Sequence, residues 1–368
     1  MNLVVLGLYF SRTQLAFVLI LFIGISNHVL IMPHLLATGK RDAWVCALLG
    51  YVFLLLWGYI LYLIMKKNDQ RLCLSDWIKS RAGGLTSRFF ITYFWVYVFA
   101  ITAISFYDLM QSINIYFLPR TPSFFVMLPF LLICIWASYS SLKSIVYISA
   151  ILLPIVSMFG IFVATFTLPE KDYSYLFPVL VEGYQPVVKG TITILGGGTD
   201  FLVLLLLQHH VKKSFTKGNL FVLITFLVIL ILGPTMGSLS SFGPAVSSDM
   251  RFPAFEQWRL IKLGNYISHV DFLAVFQLLS GELIRVAMGL YLLSDMVKGH
   301  MQSAKKKHIF TVASISLGLL TLIPLSDIWV QTLIGRYFYP AAFISGFFIS
   351  IALFIISYLP RKKGTQQT

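Results

Sequence analysis

The sequence predicts an all-α integral membrane protein whose chain crosses the bilayer about ten times. Of its 368 residues, 58% are apolar and 11% are charged, whereas a soluble domain is roughly 45–50% apolar and about 25% charged. Apolar runs long enough to cross a bilayer alternate with short polar loops along the chain. The net charge of +14 comes from Lys and Arg clustered in those loops, so orientation in a membrane explains it better than nucleic-acid binding does.

A helix needs about 20 apolar residues to cross a bilayer. On that basis the chain holds ten candidate spanning helices. No polar stretch between them is long enough to fold by itself, so we expect one polytopic membrane domain over residues 1–368. The predicted helices cover residues 13–37, 43–65, 87–117, 123–137, 144–168, 187–209, 220–242, 272–297, 309–324 and 339–359.

Lys and Arg are unevenly divided between the two sides of these helices. With the N-terminus placed in the cytoplasm, 18 of the 28 cations lie in inner segments and nine in outer loops, and Arg285 lies inside helix 8. Cytoplasmic loops carry the excess of Lys and Arg in membrane proteins. The two-to-one ratio therefore predicts that both termini are cytoplasmic and that the number of helices is even.

Two loops are expected to contain short helices. Residues 66–84 place four large apolar side chains among charged ones, a pattern typical of a helix lying in the cytoplasmic interface. Residues 242–271, on the outer side, are expected to fold back onto the protein with a short helix after Pro253. The alternative for both segments is an ordinary interfacial loop.

Helices 1 and 6 contain sequences that disfavour a continuous helix. Glycine weakens a helix by about 1 kcal/mol relative to alanine, and backbone groups freed by a break cannot face lipid. Paired breaks of this kind mark the midplane binding site of many secondary transporters, where half-helix N-termini bind anions. The alternative is that the glycines only let helices pack closely. The residues concerned are Gly24, Ser26, Asn27 and His28 in helix 1, and Gly196, Gly197, Gly198, Thr199 and Asp200 in helix 6.

Four short motifs follow one another in an order and spacing that resemble a known family. They are HVLIMP at residues 28–33, LFPVLVEG at residues 176–183, QHHVKK at residues 208–213 and FP at residues 252–253. With the chain length and the ten predicted spans, they resemble the endospore germination permease family, the B subunits of germinant receptors. The resemblance covers nearly the whole chain.

The resemblance implies a fold similar to that of the amino acid–polyamine–organocation transporters, a five-plus-five inverted repeat with broken helices 1 and 6. It also implies a location in the inner membrane of the spore and two partners, a germinant receptor A subunit and a lipoprotein C subunit. Relatives of this fold carry small residues in the helix 1 break, whereas this chain has Ser26, Asn27 and His28. Their side chains are expected to intrude where a ligand carboxylate binds, which argues against a plain alanine-like ligand.

Ionisable residues inside a membrane are costly and are therefore candidates for function. Asp200 and Asp108, which follows Tyr107 in helix 3, are candidates to bind a ligand cation. Asn27, His28 and backbone N–H groups near the breaks are then expected to bind the polar or anionic end of the ligand. The alternative for His28 is a hydrogen bond between helices.

Glu282 and Arg285 lie at positions i and i+3 of helix 8, so they share a face and are expected to pair. Such a pair serves ligand or ion coupling, or else only neutralises two buried charges. His209 and His210 are interpreted as interfacial residues. The sequence contains no metal-ligand spacing, cofactor motif or enzyme signature.

These observations favour a non-enzymatic receptor subunit that binds a small nutrient, such as an amino acid, at the midplane and signals to partner subunits. A proton- or cation-coupled amino acid transporter is the first alternative, with Asp108, Asp200 or Glu282 carrying the proton. A scaffold subunit of a channel complex, with a vestigial site, is the second.

Overall fold

The computed structural model describes residues 9–262, 270–296 and 303–361. Within these ranges the regular structure is helical, apart from an isolated bridge between Phe10 and Val211, and this confirms the predicted all-α class. The α-helices are α1 (Arg12–Ile25), α2 (Met32–Gly39), α3 (Ala43–Lys66), α4 (Leu74–Ala82), α5 (Gly84–Tyr116), α6 (Ser123–Ser140), α7 (Leu142–Phe166), α8 (Tyr184–Gly198), α9 (Val203–Leu207), α10 (Lys217–Asp249), α11 (Pro253–Arg259), α12 (Phe272–Asp295), α13 (Ser303–Leu322), α14 (Asp327–Leu333) and α15 (Tyr339–Tyr358).

Eight helical segments in the described ranges are long and apolar enough to cross a membrane. The first, Arg12–Lys66, is 55 residues long and turns at Lys40 (φ 48°), which separates α2 from α3. In α13, the stretch Lys307–Leu322 is apolar but shorter than these segments. The chain is therefore a multi-pass membrane protein, while ten crossings and the inverted repeat stay predictions.

The predicted helix boundaries differ most from the structure in helix 10. The sequence predicts a start at residue 339, but the helical path begins at Asp327 and reaches α15 through a π-helical segment, Ile334–Phe338. Polar residues such as Gln331 and Arg336 interrupt the apolar run there, so hydropathy places the start too late.

The predicted helices 7 and 8, which correspond to α10 and α12, also differ from prediction at their ends. Helix 7 continues past its predicted end at residue 242 to Asp249, with a kink at Gly243, whose φ of 76° suits glycine. The predicted last residue of helix 8, Val297, lies outside the described residues, as do residues 362–368 of the polar C-terminal tail.

Both predicted short helices are present, and both pack against the bundle. In α4, Leu74, Trp77 and Ile78 form a buried face. Arg81 donates from Nη1 to the carbonyl oxygens of Ser357 (2.8 Å) and Leu359 (2.7 Å), which ties α4 to the end of α15. We call this end of the molecule the basic end.

Helix α11 covers the opposite end, which we call the outer-loop end. Trp258 of α11 and Ile261 pack with Val270 and Ala274 in a small buried apolar cluster. A much larger cluster of buried apolar side chains runs through the bundle. The segment Tyr184–His210, which contains α8 and α9, is the most buried of the candidate spans and lies at the centre of that core.

Candidate functional site

Helices 1 and 6 change their winding at the predicted positions, but they do not open. In helix 1, α1 passes into a π-helical segment, Ser26–Ile31, before α2 begins. In helix 6, α8 continues through the three glycines and becomes a 3₁₀ segment at Thr199–Leu202. The prediction of broken helices is therefore wrong in form, because a helical backbone keeps its polar groups bonded in the core. Local changes of winding are nonetheless frequent at functional sites.

The three glycines of helix 6 let three neighbours approach it closely. A Cβ atom at Gly196 would lie 2.3 Å from the carbonyl oxygen of Tyr339, and one at Gly197 would lie 1.9 Å from Cδ1 of Ile31. At Gly198 it would lie 2.3 Å from Cδ2 of Leu54. The alternative interpretation, that these glycines serve close packing, therefore describes their direct structural role.

A buried ion pair lies where the two helices change winding. Arg285 Nη1 is 2.9 Å from Asp200 Oδ2, and each side chain is only 2% exposed. The same Nη1 donates to the carbonyl oxygen of Phe22 (2.6 Å), and the guanidinium lies over the Phe22 ring, 5.0 Å from its centroid. The Tyr97 hydroxyl donates to Asp200 Oδ1 (2.7 Å). Residues of helices 1, 3, 6 and 8 thus converge on one pair of charges.

The pair borders a small enclosed space, which we call the midplane cavity. Its volume is about 10 Å³, which is roughly the space that one water needs. The space around the two charges is therefore closed. The cavity is lined by Ser26, Leu30, Tyr97, Ile101, Ile104, Gly196, Gly197, Asp200, Arg285, Phe338 and Tyr339.

The expected pairing of Glu282 with Arg285 is wrong. Arg285 pairs with Asp200, and Glu282 accepts hydrogen bonds from Ser105 Oγ at 2.6 and 2.7 Å. The i, i+3 spacing put both charges on one face of helix 8, but helices 6 and 3 supply closer partners. Sequence reasoning missed Tyr97 and Ser105, whose only signal was a hydroxyl in an apolar helix.

The π-helical segment directs two of its polar side chains away from the midplane cavity. Asn27 donates from Nδ2 to the carbonyl oxygen of Leu227 (3.1 Å), and His28 bonds through Nδ1 to the carbonyl oxygen of Gly24 (2.6 Å). Only Ser26 of the three lines the cavity. Asn27 and His28 therefore do not intrude into the midplane cavity, contrary to the expectation. The alternative for His28 was a hydrogen bond between helices, but its Nδ1 bonds within its own helix.

Asp108 belongs to a different site, at the outer-loop end. It accepts a hydrogen bond from Arg251 Nη2 and another from Gln331 Nε2 (3.0 Å). Arg251 also donates from Nε to Asp327 Oδ2 (2.9 Å). We call these four residues the outer network. Tyr107 donates to the carbonyl oxygen of Leu325 (3.3 Å), so neither it nor Asp108 lines the midplane cavity.

Two further predicted site residues have packing roles. Thr199 donates from Oγ1 to the carbonyl oxygen of Ala342 (3.0 Å), which fixes the 3₁₀ segment against α15. A Cβ atom at Gly24 would lie 3.0 Å from Cδ1 of Leu230, so this glycine lets α1 lie close to α10. Both residues support the walls around the ion pair without lining the cavity.

Comparison with known proteins gives consistent matches over most of the chain. A family model described as "Spore germination protein" matches residues 11–328. The chain is 30% identical to Spore germination protein XB of Bacillus anthracis over 350 residues, which cover 95% of this chain and 98% of that protein. It is 24% identical over 277 residues to Putative spore germination protein YfkT of Bacillus subtilis, with 74% of each chain covered. Spore germination protein KB of Bacillus subtilis is 22% identical over 316 residues, which cover 83% of this chain and 82% of that protein.

Proposed function

The chain belongs to the spore germination protein family, and from that premise we propose that it is the germinant-sensing membrane subunit of a spore germination receptor. Its ligand is a small zwitterionic nutrient, an amino acid in the simplest case, bound at the midplane cavity. Binding changes the arrangement of helices 1 and 6, and the change passes to an A subunit and a lipoprotein C subunit. The protein acts in the inner membrane of the spore, with both termini in the cytoplasm.

The observation that carries the proposal is the buried pair of Asp200 and Arg285 at the winding changes of helices 1 and 6. Removing one partner of a buried ion pair costs about 3–5 kcal/mol, because the other charge is left uncompensated. A zwitterion carries both counter-charges. Inserted between the two side chains, it places its carboxylate on Arg285 and its ammonium on Asp200, so that every charge stays paired.

Arg285 also retains a donor that suits a carboxylate. Its Nε is buried and has no hydrogen-bond partner among the described residues, while Nη1 is engaged by Asp200 and Phe22. A guanidinium binds a carboxylate best through two parallel N–H donors. A ligand carboxylate would therefore accept a hydrogen bond from this buried Nε, which favours an anionic group at this position.

An amino acid cannot enter a space of about 10 Å³ unless the helices move. The outer network closes the end of the bundle that faces the outside in the proposed orientation, with Arg251 bridging Asp108 and Asp327. We infer that this network opens to admit the ligand, so that the closed network opposes binding. Ligand binding then biases a two-state equilibrium that the partner subunits detect.

Glu282 favours proton-coupled amino acid transport as a second candidate function. Its carboxyl group is 1% exposed, bonds to Ser105 and lies one helical turn from Arg285. A buried carboxyl beside a ligand site is a suitable proton carrier in transporters. Uptake of the ligand into proteoliposomes by the chain alone, abolished in Glu282→Gln, identifies this function.

The proposed ligand class is tested by thermal unfolding of the purified full chain in lipid nanodiscs. Each common amino acid is added in turn, and any that raises Tm is compared with its amide and with its decarboxylated amine. A ligand at 100 times its Kd stabilises the protein by about 2.7 kcal/mol, which is measurable as a rise in Tm. We expect the zwitterion to raise Tm and both single-charge analogues to fail.

Glu182→Gln is the control, since it alters a half-exposed carboxylate, paired with Lys40, that does not line the cavity. It should keep the ligand-induced rise in Tm. The proposal is wrong if no amino acid raises Tm in the chain alone or with its co-purified partner subunits, or if the amide and the amine raise it as much as the zwitterion does.

A further inference from the structure

A cluster of nitrogen and oxygen ligands lies at the basic end, where the QHHVKK motif of residues 208–213 meets the end of α12. The 3₁₀ segment Gln208–His210 follows α9 and presents two adjacent imidazoles, whose ring centroids are 3.9 Å apart. The last residue of α12, Asp295, approaches both rings. Its Oδ2 lies 3.4 Å from Nε2 of His209 and 3.4 Å from Nε2 of His210.

The Tyr291 hydroxyl also lies 3.4 Å from Nε2 of His210, so this nitrogen has two long polar contacts. All of these separations are long for hydrogen bonds and are close to the spacing between two ligand atoms of one tetrahedral metal ion. A bond from an imidazole N–H to a carboxylate is about 2.7–2.9 Å long when the ring is charged. A Zn²⁺ ion about 2.0–2.1 Å from each of its ligands in tetrahedral coordination holds neighbouring ligand atoms about 3.3 Å apart. Each of the three residues offers one ligand atom, and these three atoms lie within 4.8 Å of one another. An ion therefore fits between them after only small adjustments.

The cluster faces open space. It borders a cavity of about 640 Å³ at the basic end, which also meets Cys73, Asp76 and Lys143. Burial, and then the neighbouring Asp76, raise the pKa of the Cys73 thiol, whose Sγ already donates to Asp76 Oδ2 (3.0 Å). Cys73 is therefore engaged with Asp76, and the proposed ligand set does not include it. A fourth ligand would come from the cavity side, as water or a small solute.

We propose that Nε2 of His209, Nε2 of His210 and the carboxylate of Asp295 bind a divalent transition-metal ion of the Zn²⁺ class. Two imidazoles and one carboxylate form a ligand set typical of zinc sites that keep one position open. The site joins the basic end of helix 6 to that of helix 8. These two helices carry Asp200 and Arg285, so the bound ion holds together the inner ends of the helices that form the midplane cavity.

The test uses the full chain purified with an affinity tag that contains no histidine. Zn²⁺ binding is measured by calorimetry, and Co²⁺ is used as a spectroscopic probe of tetrahedral coordination. We expect one ion per chain with micromolar or tighter affinity, a tetrahedral Co²⁺ absorption spectrum and a rise in Tm with Zn²⁺. His209→Gln, His210→Gln and Asp295→Asn should each weaken Zn²⁺ binding at least tenfold.

His308→Gln is the matched control, because His308 is an exposed histidine near the same end. It should leave the affinity unchanged. Asp295→Asn keeps a side chain of the same shape, so a weaker affinity with an unchanged metal-free Tm points to metal ligation rather than to a structural role. The proposal is overturned if Zn²⁺ binds no tighter than millimolar, or if the three variants bind Zn²⁺ as tightly as the unchanged chain.

Discussion

The midplane cavity and the basic-end cavity both border buried carboxylates, yet they differ in how those charges are satisfied. At the midplane, Asp200 and Arg285 hold each other at 2.9 Å beside a space of about 10 Å³. At the basic end, Asp295 stands 3.4 Å from each of two imidazoles beside a cavity of about 640 Å³. The two charges of the first site pair with each other in a closed space, whereas the groups of the second site have the spacing that an ion would fill.

The two sites differ because of the packing around helix 6. Near the midplane, Gly196, Gly197 and Gly198 let three neighbouring segments approach within contact distance of the helix. At the basic end the same helix finishes in a 3₁₀ segment, and the start of α4 lines the cavity beside it. Dense packing therefore closes the space at one site, so that the proposed ligand requires a conformational change to enter, and looser packing leaves the other site open.

The largest expected effect comes from breaking the midplane pair on one side only. Asp200→Asn leaves the Arg285 guanidinium buried without a counter-charge, and we expect a loss of about 3–5 kcal/mol of stability. Protein level in membranes and Tm of the purified chain measure this. Glu182→Gln, which alters a half-exposed carboxylate in an ion pair with Lys40, should leave both values unchanged. An unchanged Tm in Asp200→Asn would show that the two buried charges do not depend on each other.

Gly197→Ala should have the next largest effect, because the added Cβ would lie 1.9 Å from Cδ1 of Ile31 in the π-helical segment. Overpacking of this kind costs about 1–3 kcal/mol. We expect a lower Tm and at least a several-fold higher germinant concentration for half-maximal response. Gly233→Ala is the control, since nothing lies within 4 Å of the position of its Cβ. Addition of Ile31→Val, which removes Cδ1, should restore part of the Tm and part of the germinant response. If neither is restored, the effect of Gly197→Ala does not come from contact with Ile31.

A smaller effect is expected from loosening the outer network. Asp327→Asn removes one of the two carboxylates that hold Arg251 but leaves its bond to Asp108 in place. If the network holds the outer-loop end closed, the half-maximal germinant concentration in spores should fall about two- to fivefold, which corresponds to about 0.4–1 kcal/mol. Glu256→Gln, in an exposed pair with Arg259 near the same end, should not change it. A higher half-maximal concentration in Asp327→Asn contradicts a closing role.

The smallest effect belongs to the exposed pair of Lys40 and Glu182, whose side chains are 48% and 47% exposed. Exposed ion pairs contribute about 0–1 kcal/mol, because water and salt screen them. Lys40→Ala should therefore lower Tm by no more than about 2 °C and should leave the germinant response unchanged. A loss of stability as large as that of Asp200→Asn would show that burial does not decide how much an ion pair contributes to stability.

Sequence reasoning placed most helices within a few residues, because apolar runs of spanning length and short basic loops are local signals. It also placed Asp200, Glu282 and Arg285 in the core and located the winding changes of helices 1 and 6. It assigned the wrong partner to Arg285, since spacing along helix 8 shows which residues share a face but not which helix lies opposite. The cluster of His209, His210 and Asp295 was missed for the same reason, as Asp295 is 85 residues away from His210. The signal available in the sequence was the acidic residue Asp295 at the basic end of helix 8.

The most direct test of the ligand site is the double variant Asp200→Asn with Arg285→Gln. Replacing both members of a buried pair leaves no uncompensated charge, so we expect protein level and Tm to recover most of what Asp200→Asn alone loses. The germinant response of spores, and the ligand-induced rise in Tm, should nevertheless stay absent, because a zwitterion finds no counter-charges. If the double variant recovers both stability and a normal dose response, the pair is only structural and the ligand binds elsewhere.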